Sequence, residues 1–255
     1  FALHTYDIDG LGSKNERVLH VFLYGEDLDH QALDEALVAQ LDQGSLFDHA
    51  VVLIHPIAAS SSASVLIGAS AFMARLLDTI GSDTRKVTII KFVIDTGTHE
   101  AVDLESARVP DSAARIQLHR RFSLLHIFSE ANGLLLASHG YHYKKPSRAH
   151  ANRFLRAANV LEDGSNIELL AFWLLAAFRG RRIRQIVIDT SGIAALAVTV
   201  AHWAVRLGII PTSPEVTSHS SYGGLEKLRI TSPRETLILA YQGRPPGSAG
   251  EAVKV

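Results

Sequence analysis

Short, nearly unbroken apolar runs alternating with helical stretches limit this chain to very few architectures. Ala50-Val51-Val52-Leu53-Ile54 and Ile186-Val187-Ile188 leave no polar position to face water, so strands made of them must be covered on both faces. Further strand signals fall at Val18–Tyr24, Lys86–Ile94, Ile183–Ile188 and Thr236–Tyr241. Between them Asp29–Leu41 places Leu33, Leu37, Val38 and Leu41 on one helical face, and helices are also expected at Ser61–Ile80, Ser112–Glu130, Ile167–Phe178 and Ile193–Leu207. Thr96–Pro110, the turn-rich stretch before Thr236 and the tail Gln242–Gly250 read as loops. Strand, helix and strand in succession build parallel pairs. The expected fold class is therefore α/β, a mostly parallel sheet flanked by helices. Asn132-Gly133 is a helix stop, and a boundary near 133–138 would divide the chain into an N-terminal and a C-terminal half, with one continuous sheet as the alternative.

Bulk properties remove several functions. A net charge of -1 supplies no global attraction to nucleic acid or anionic membrane, so an anion site must be local. Without cysteine there is no disulfide framework and no thiolate chemistry. The longest apolar runs, Ile167–Phe178 and Gly192–Val205, read as buried helices, the second carrying His202 and ending at Arg206. No secretory signal is visible in a chain that opens at Phe1, and a cytoplasmic location is expected.

Two segments carry chemistry. Ser138–Phe154 gathers Tyr141, His142, Tyr143, Lys144, Lys145, Ser147, Arg148 and His150 without an acidic residue, a donor set suited to phosphate, or else a solvated surface loop with snorkelling lysines. His139 and His142 are spaced as a ligand pair, but zinc needs three or four converging ligands and no metal site is expected. The second segment, Ile186–Ala194, is a buried strand breaking into Asp189-Thr190-Ser191-Gly192 before a helix. Such a turn presents backbone N–H groups to phosphate, although it could equally be an ordinary capped helix start. Ser218–Gly224, with Tyr222, Gly223 and Gly224 at its end, is a phosphate-contacting loop or a plain hairpin turn. Ser60–Ser64 leaves the same two readings open.

Taken together, residues from about 120 onward resemble the type I phosphoribosyltransferases, within them the orotate phosphoribosyltransferase group. Tyr141–His150 looks like a variant of the family's early aromatic–basic motif, with Lys144 or Lys145 standing for its lysine and Ser147 for a motif hydroxyl. Asp189–Ala197 is similar to the loop that contacts pyrophosphate ahead of an alanine-rich helix. The resemblance implies a Rossmann-like phosphoribosyltransferase domain at 136–255, preceded by an α/β region of unknown role at 1–135. It implies binding of phosphoribosyl pyrophosphate or a nucleotide, magnesium (Mg2+) as the ion neutralising pyrophosphate, Asp189 reaching a magnesium-bound water, and a homodimer. One departure stands out. The family's strand ends in two acidic residues that hold the ribose hydroxyls, whereas Thr236–Ala240 is followed here by Tyr241-Gln242-Gly243-Arg244. A sensor that kept the fold and lost the transfer chemistry is the alternative this departure raises, and an unrelated Rossmann-like hydrolase is a third.

Overall fold

The computed structural model describes residues 1–8, 16–44, 46–58, 70–104, 109–137, 143–144, 150–188, 191–218, 230, 235–240 and 252–254. The chain divides into two compact units, Phe1–Ser123 and Leu124–Val255. The division falls inside a helix rather than in the 133–138 stretch that follows it. Both units are α/β, with parallel pairs at the centre of their sheets.

The first unit holds a five-stranded sheet of β1 (Ala2–Ile8), β2 (Glu16–Leu23), β3 (His49–Ile54), β4 (Val87–Val93) and β5 (Thr98–Val102), in that spatial order. β2, β3 and β4 are parallel, and β1 and β5 pair antiparallel at the edges. Helix α1 (His30–Asp42) carries the chain from β2 to β3, and α2 (Ala71–Thr79) leads into β4. Each starts at a side-chain cap: Asp29 Oδ1 accepts from Ala32 N at 2.9 Å, and Ser70 Oγ from Met73 N at 3.2 Å. The Ser70 cap starts α2 at Ala71, so the described helix is shorter than the expected Ser61–Ile80; 59–69 lie outside the described residues. Strand β5 lies within the stretch that reads as a loop, and β1 has no strand signal in the sequence. Both are edge strands with half-exposed residues, which lack the continuous apolar run that betrays a central strand.

The register sorts the two faces of this sheet. Leu19, Val21 and Leu23 lie beside Ala50, Val52 and Ile54, then Val87 and Ile89. This aliphatic face is covered by Leu33 and Leu37 of α1 and Phe72, Met73 and Leu76 of α2. Leu33 and Leu37 are wholly buried, each contributing about 2 kcal/mol by leaving water. The opposite face carries Tyr6, Val18, His20, Phe22, Val51 and Leu53. Helix α3 (Ser112–Glu130) packs there: Phe122 stacks on Tyr6 at 6.2 Å, and Ser112 Oγ accepts from Ala101 N at 3.2 Å.

After α3 stops at Asn132, whose φ is 50°, the second unit makes two small antiparallel ribbons. β6 (Leu134–Leu136) pairs with β9 (Arg153–Leu155), and β7 (Tyr143–Lys144) with β8 (His150–Ala151). Helices α4 (Ala157–Val160) and α5 (Gly164–Leu174) follow, α5 tightening into a 3₁₀ turn at Leu175–Phe178. The start of α5 is set by Asp163, whose Oδ1 accepts from Ser165 N at 2.7 Å. Then come β10 (Gln185–Ile188), α6 (Ala194–Arg206), β11 (Glu215–Ser218), β12 (Thr236–Ala240) and β13 (Ala252–Lys254). The four strands form one parallel sheet in the order β11-β10-β12-β13. β11 falls in the expected turn-rich stretch, and β13 follows the expected tail loop. No described helix is long and apolar enough to cross a membrane.

Candidate functional site

The four-stranded sheet reverses its winding at one place. From β10 the chain passes through α6 to β11 on one side, whereas from β12 it continues to β13 on the other. Neighbouring strands whose exits diverge leave a crevice at their carboxyl ends, where α/β sheets bind ligands. In this sheet the switch point, where such a crevice is expected, falls between the ends of β10 and β12, aligned by the pairing Ile188↔Leu239. Ser218 ends β11 in register with Ile188 on the other side.

The turn that leaves β10 is described from Ser191 onward. Ser191, Gly192 and Ile193 form a 3₁₀ turn that runs directly into α6. Ser191 and Gly192 are exposed, and Ile193 is 2 % exposed. Ile193 plugs an apolar layer with Phe128, Leu155, Ala157, Val160, Leu161, Leu170 and Leu196, around a cavity of about 10 Å³. That space would hold about one water and offers it no polar wall, so the turn rests on a dry floor while its first two residues face outward. Ile193, the cap position of α6, makes no side-chain cap bond; residues 189 and 190, ahead of the 3₁₀ turn, lie outside the described residues. The positive end of the α6 dipole lies at that turn.

The opposite, amino end of the sheet is closed by polar bonds. Gln185, 3 % exposed, donates from Nε2 to Thr217 Oγ1 at 3.3 Å and accepts at Oε1 from Thr236 Oγ1 at 3.4 Å. One amide thus ties β11, β10 and β12 together, and Arg184 pairs with Glu235 at 3.3 Å beside it. This clasp holds the register that brings the carboxyl ends of β10 and β12 side by side. A second clasp joins α5 to α6: Trp203 Nε1 donates to Glu168 Oε2 at 2.6 Å, with Arg206 5.5 Å from the Trp203 ring centre. Burial pushes the Glu168 carboxyl up, against the opposing pull of the Trp203 N–H and of His202. Neither clasp has a signal in the sequence, because each joins residues far apart along the chain.

Of the residues singled out from sequence, Ser191 and Gly192 stand at the crevice. Asp189 and Thr190 precede them in the chain but lie outside the described residues, as do Lys145, Ser147, Tyr222, Gly223 and Gly224. Lys144 is placed by its backbone alone, at the end of β7 opposite His150. Its neighbour Tyr143 is used internally. The ring packs on Phe154 at 5.8 Å, and the hydroxyl donates to Leu136 O at 3.4 Å, so this member of the aromatic–basic segment supports the ribbons. Among the described residues no group of three or more His, Asp or Glu could hold a metal ion.

The first unit has its own carboxyl edge, where His55 follows β3. His55 is wholly buried; its N donates to Leu23 O at 2.9 Å and its Nδ1 accepts from Ile57 N at 3.4 Å. Burial pushes its imidazole down to about 4, so it is neutral near pH 7, and the accepting Nδ1 leaves the proton on Nε2. The serine-rich segment Ser60–Ser64 beyond it lies outside the described residues.

No family model matches this sequence, and neither does any curated protein.

Proposed function

We propose that the second unit binds phosphoribosyl pyrophosphate, or a nucleotide built on the same phosphosugar, at the carboxyl edge between β10 and β12. The observation that carries the reading is the exposed Ser191-Gly192 turn leading into the start of α6 at the topological switch point. A pyrophosphate seated there would accept from the turn and helix amides, whose fixed dipoles need no reorganisation to meet its charge. The Rossmann-like phosphoribosyltransferase architecture belongs to the same proposal. It is supported by a parallel sheet in which the candidate pyrophosphate strand β10 adjoins β12, the strand likened to the family's ribose-phosphate strand.

Asp189 is the carboxylate adjoining the turn in sequence. Magnesium would enter as the chelate of the pyrophosphate itself. Lys144 or Lys145, Ser147 and Tyr222-Gly223-Gly224 would supply further donors.

Transfer of the phosphoribosyl group passes through a cationic sugar, which the family steadies with two acids after the strand equivalent to β12. Tyr241-Gln242 stands at that point. This favours a second reading, a sensor or regulator that binds the phosphosugar without transferring it. Ser191→Asp separates site from fold. An exposed carboxylate there should leave the melting temperature unchanged yet weaken phosphoribosyl pyrophosphate binding at least tenfold by repulsion; unchanged affinity sinks the site. In the wild type, pyrophosphate release on adding candidate bases marks an enzyme, and binding without release marks the sensor.

A further inference from the structure

We propose that the first half of α3, Ser112–Ser123, is an acid-releasable clasp on the sheet of the first unit, closed while His119 is uncharged. The face it covers differs in kind from the other. Where α1 and α2 sit, the strands offer aliphatic side chains; beneath α3 the register aligns His4 and Tyr6 of β1, Glu16 and His20 of β2, His49 of β3, Thr88 of β4 and His99 of β5. The helix meets this face with a stripe that is itself mostly polar. Ser112, His119 and Ser123 are buried there at 8 %, 4 % and 2 % exposure, beside Ile116.

Among the described residues, the buried His119 Nδ1 has no hydrogen-bond partner. The neighbours acting on the ring disfavour a proton there: Arg115 one turn earlier on α3, then His49 from β3. Arg120 and Arg121 add positive charge on the same helix. The acid on this face, Glu16, is engaged by His49, Oε2 to Nε2 at 3.2 Å. Tyr6 and His20 lie ring to ring at 5.7 Å, and His4 and His20 at 6.5 Å, so β1 and β2 bring aromatic rings and imidazoles to this face.

A proton on His119 would put an imidazolium beside a guanidinium in a dry interface, and lifting the helix into water relieves that cost. Burial, then Arg115 and His49, depress His119 from 6.5 to about 4. The sign follows: the closed helix disfavours the proton, so the contribution of His119 to closure is complete above pH 6.5 and drains away as pH falls toward 4. Between pH 7.5 and 5 these limits raise the open-to-closed ratio roughly 30-fold.

Hydrogen exchange of the full chain at pH 7.5 and 5.0, corrected for intrinsic rates, tests this. Peptides from 112–123 should lose protection roughly 30-fold at the lower pH, beyond the loss in β2, β3 and β4 that buried His55 brings. His119→Phe, which cannot take the proton, should abolish the difference; His119→Gln gives the same reading should the phenylalanine variant not fold. Three results overturn the proposal: an equal response in wild type and variant, no response by pH 5, or His119→Phe restoring protection to β2–β4 as much as to the helix.

Discussion

Gly133 sits where α3 hands over to the ribbons, and Gly133→Ala tests how tightly that corner is packed. A Cβ on Gly133 would lie 2.6 Å from Val160 Cγ2, 3.1 Å from Phe128 Cδ1 and 3.2 Å from Arg156 O. The backbone cannot retreat, because Gly133 N donates to Phe128 O at 2.7 Å and Gly133 O accepts from Arg156 N at 2.6 Å. Val160 is wholly buried, and the cavity it borders, about 10 Å³, is too small to absorb a methyl group. Overpacking of this kind costs about 1–3 kcal/mol, from which the entropy gain of replacing glycine, about 0.4–1 kcal/mol, is subtracted. The net loss should be about 1–2 kcal/mol, lowering the melting temperature by roughly 3–8 °C. Calorimetry or near-ultraviolet dichroism reads it. Val160→Ala removes the clashing methyl, so in that background Gly133→Ala should cost nothing or stabilise, a coupling of about 1–2 kcal/mol. A neutral single variant, or an undiminished cost in the Val160→Ala background, refutes the reasoning.

Two further outcomes follow from buried polar groups. Gln185→Leu breaks both amide bonds that tie β11, β10 and β12; it should cost about 1–3 kcal/mol in urea titration and weaken ligand binding by loosening the crevice, and unchanged stability would show that the amide clasp is dispensable. His55, neutral in the fold with its imidazole at about 4 against 6.5 when exposed, makes the first unit lose stability as pH falls from 6.5 toward 4. His55→Asn should flatten the pH dependence of the urea midpoint between pH 7 and 5, and an unaltered slope would contradict the assignment.

Central strands are legible in the sequence because burial on both faces leaves uninterrupted apolar runs: β2, β3, β4, β10 and β12 all lie near their expected positions. Edge strands are not. β11 is half exposed, with Glu215 and Ser218 outward, and such a pattern is indistinguishable from a loop until its neighbour is known. Helix starts move to their caps, Ser70 and Asp163, which a search for apolar periodicity passes over. The candidate site is half legible. Ile186–Ala194 announces a strand-turn-helix, but the crevice depends on β12 returning beside β10, a pairing of Gln185 with Thr236. Long-range pairing leaves no mark in local sequence. The histidine-bearing face of the first sheet is hidden for another reason: His20 sits within the apolar run of β2, and the alternation separating its two faces appears only when His4, His20 and Val51 are aligned across strands.

Titration calorimetry with phosphoribosyl pyrophosphate, with and without magnesium, asks whether the β10–β12 edge holds a pyrophosphate-bearing sugar. Binding at that edge should be saturable, require magnesium and disappear in Ser191→Asp. Absence of binding in both conditions, or binding that the Ser191→Asp variant retains, would contradict the proposed site.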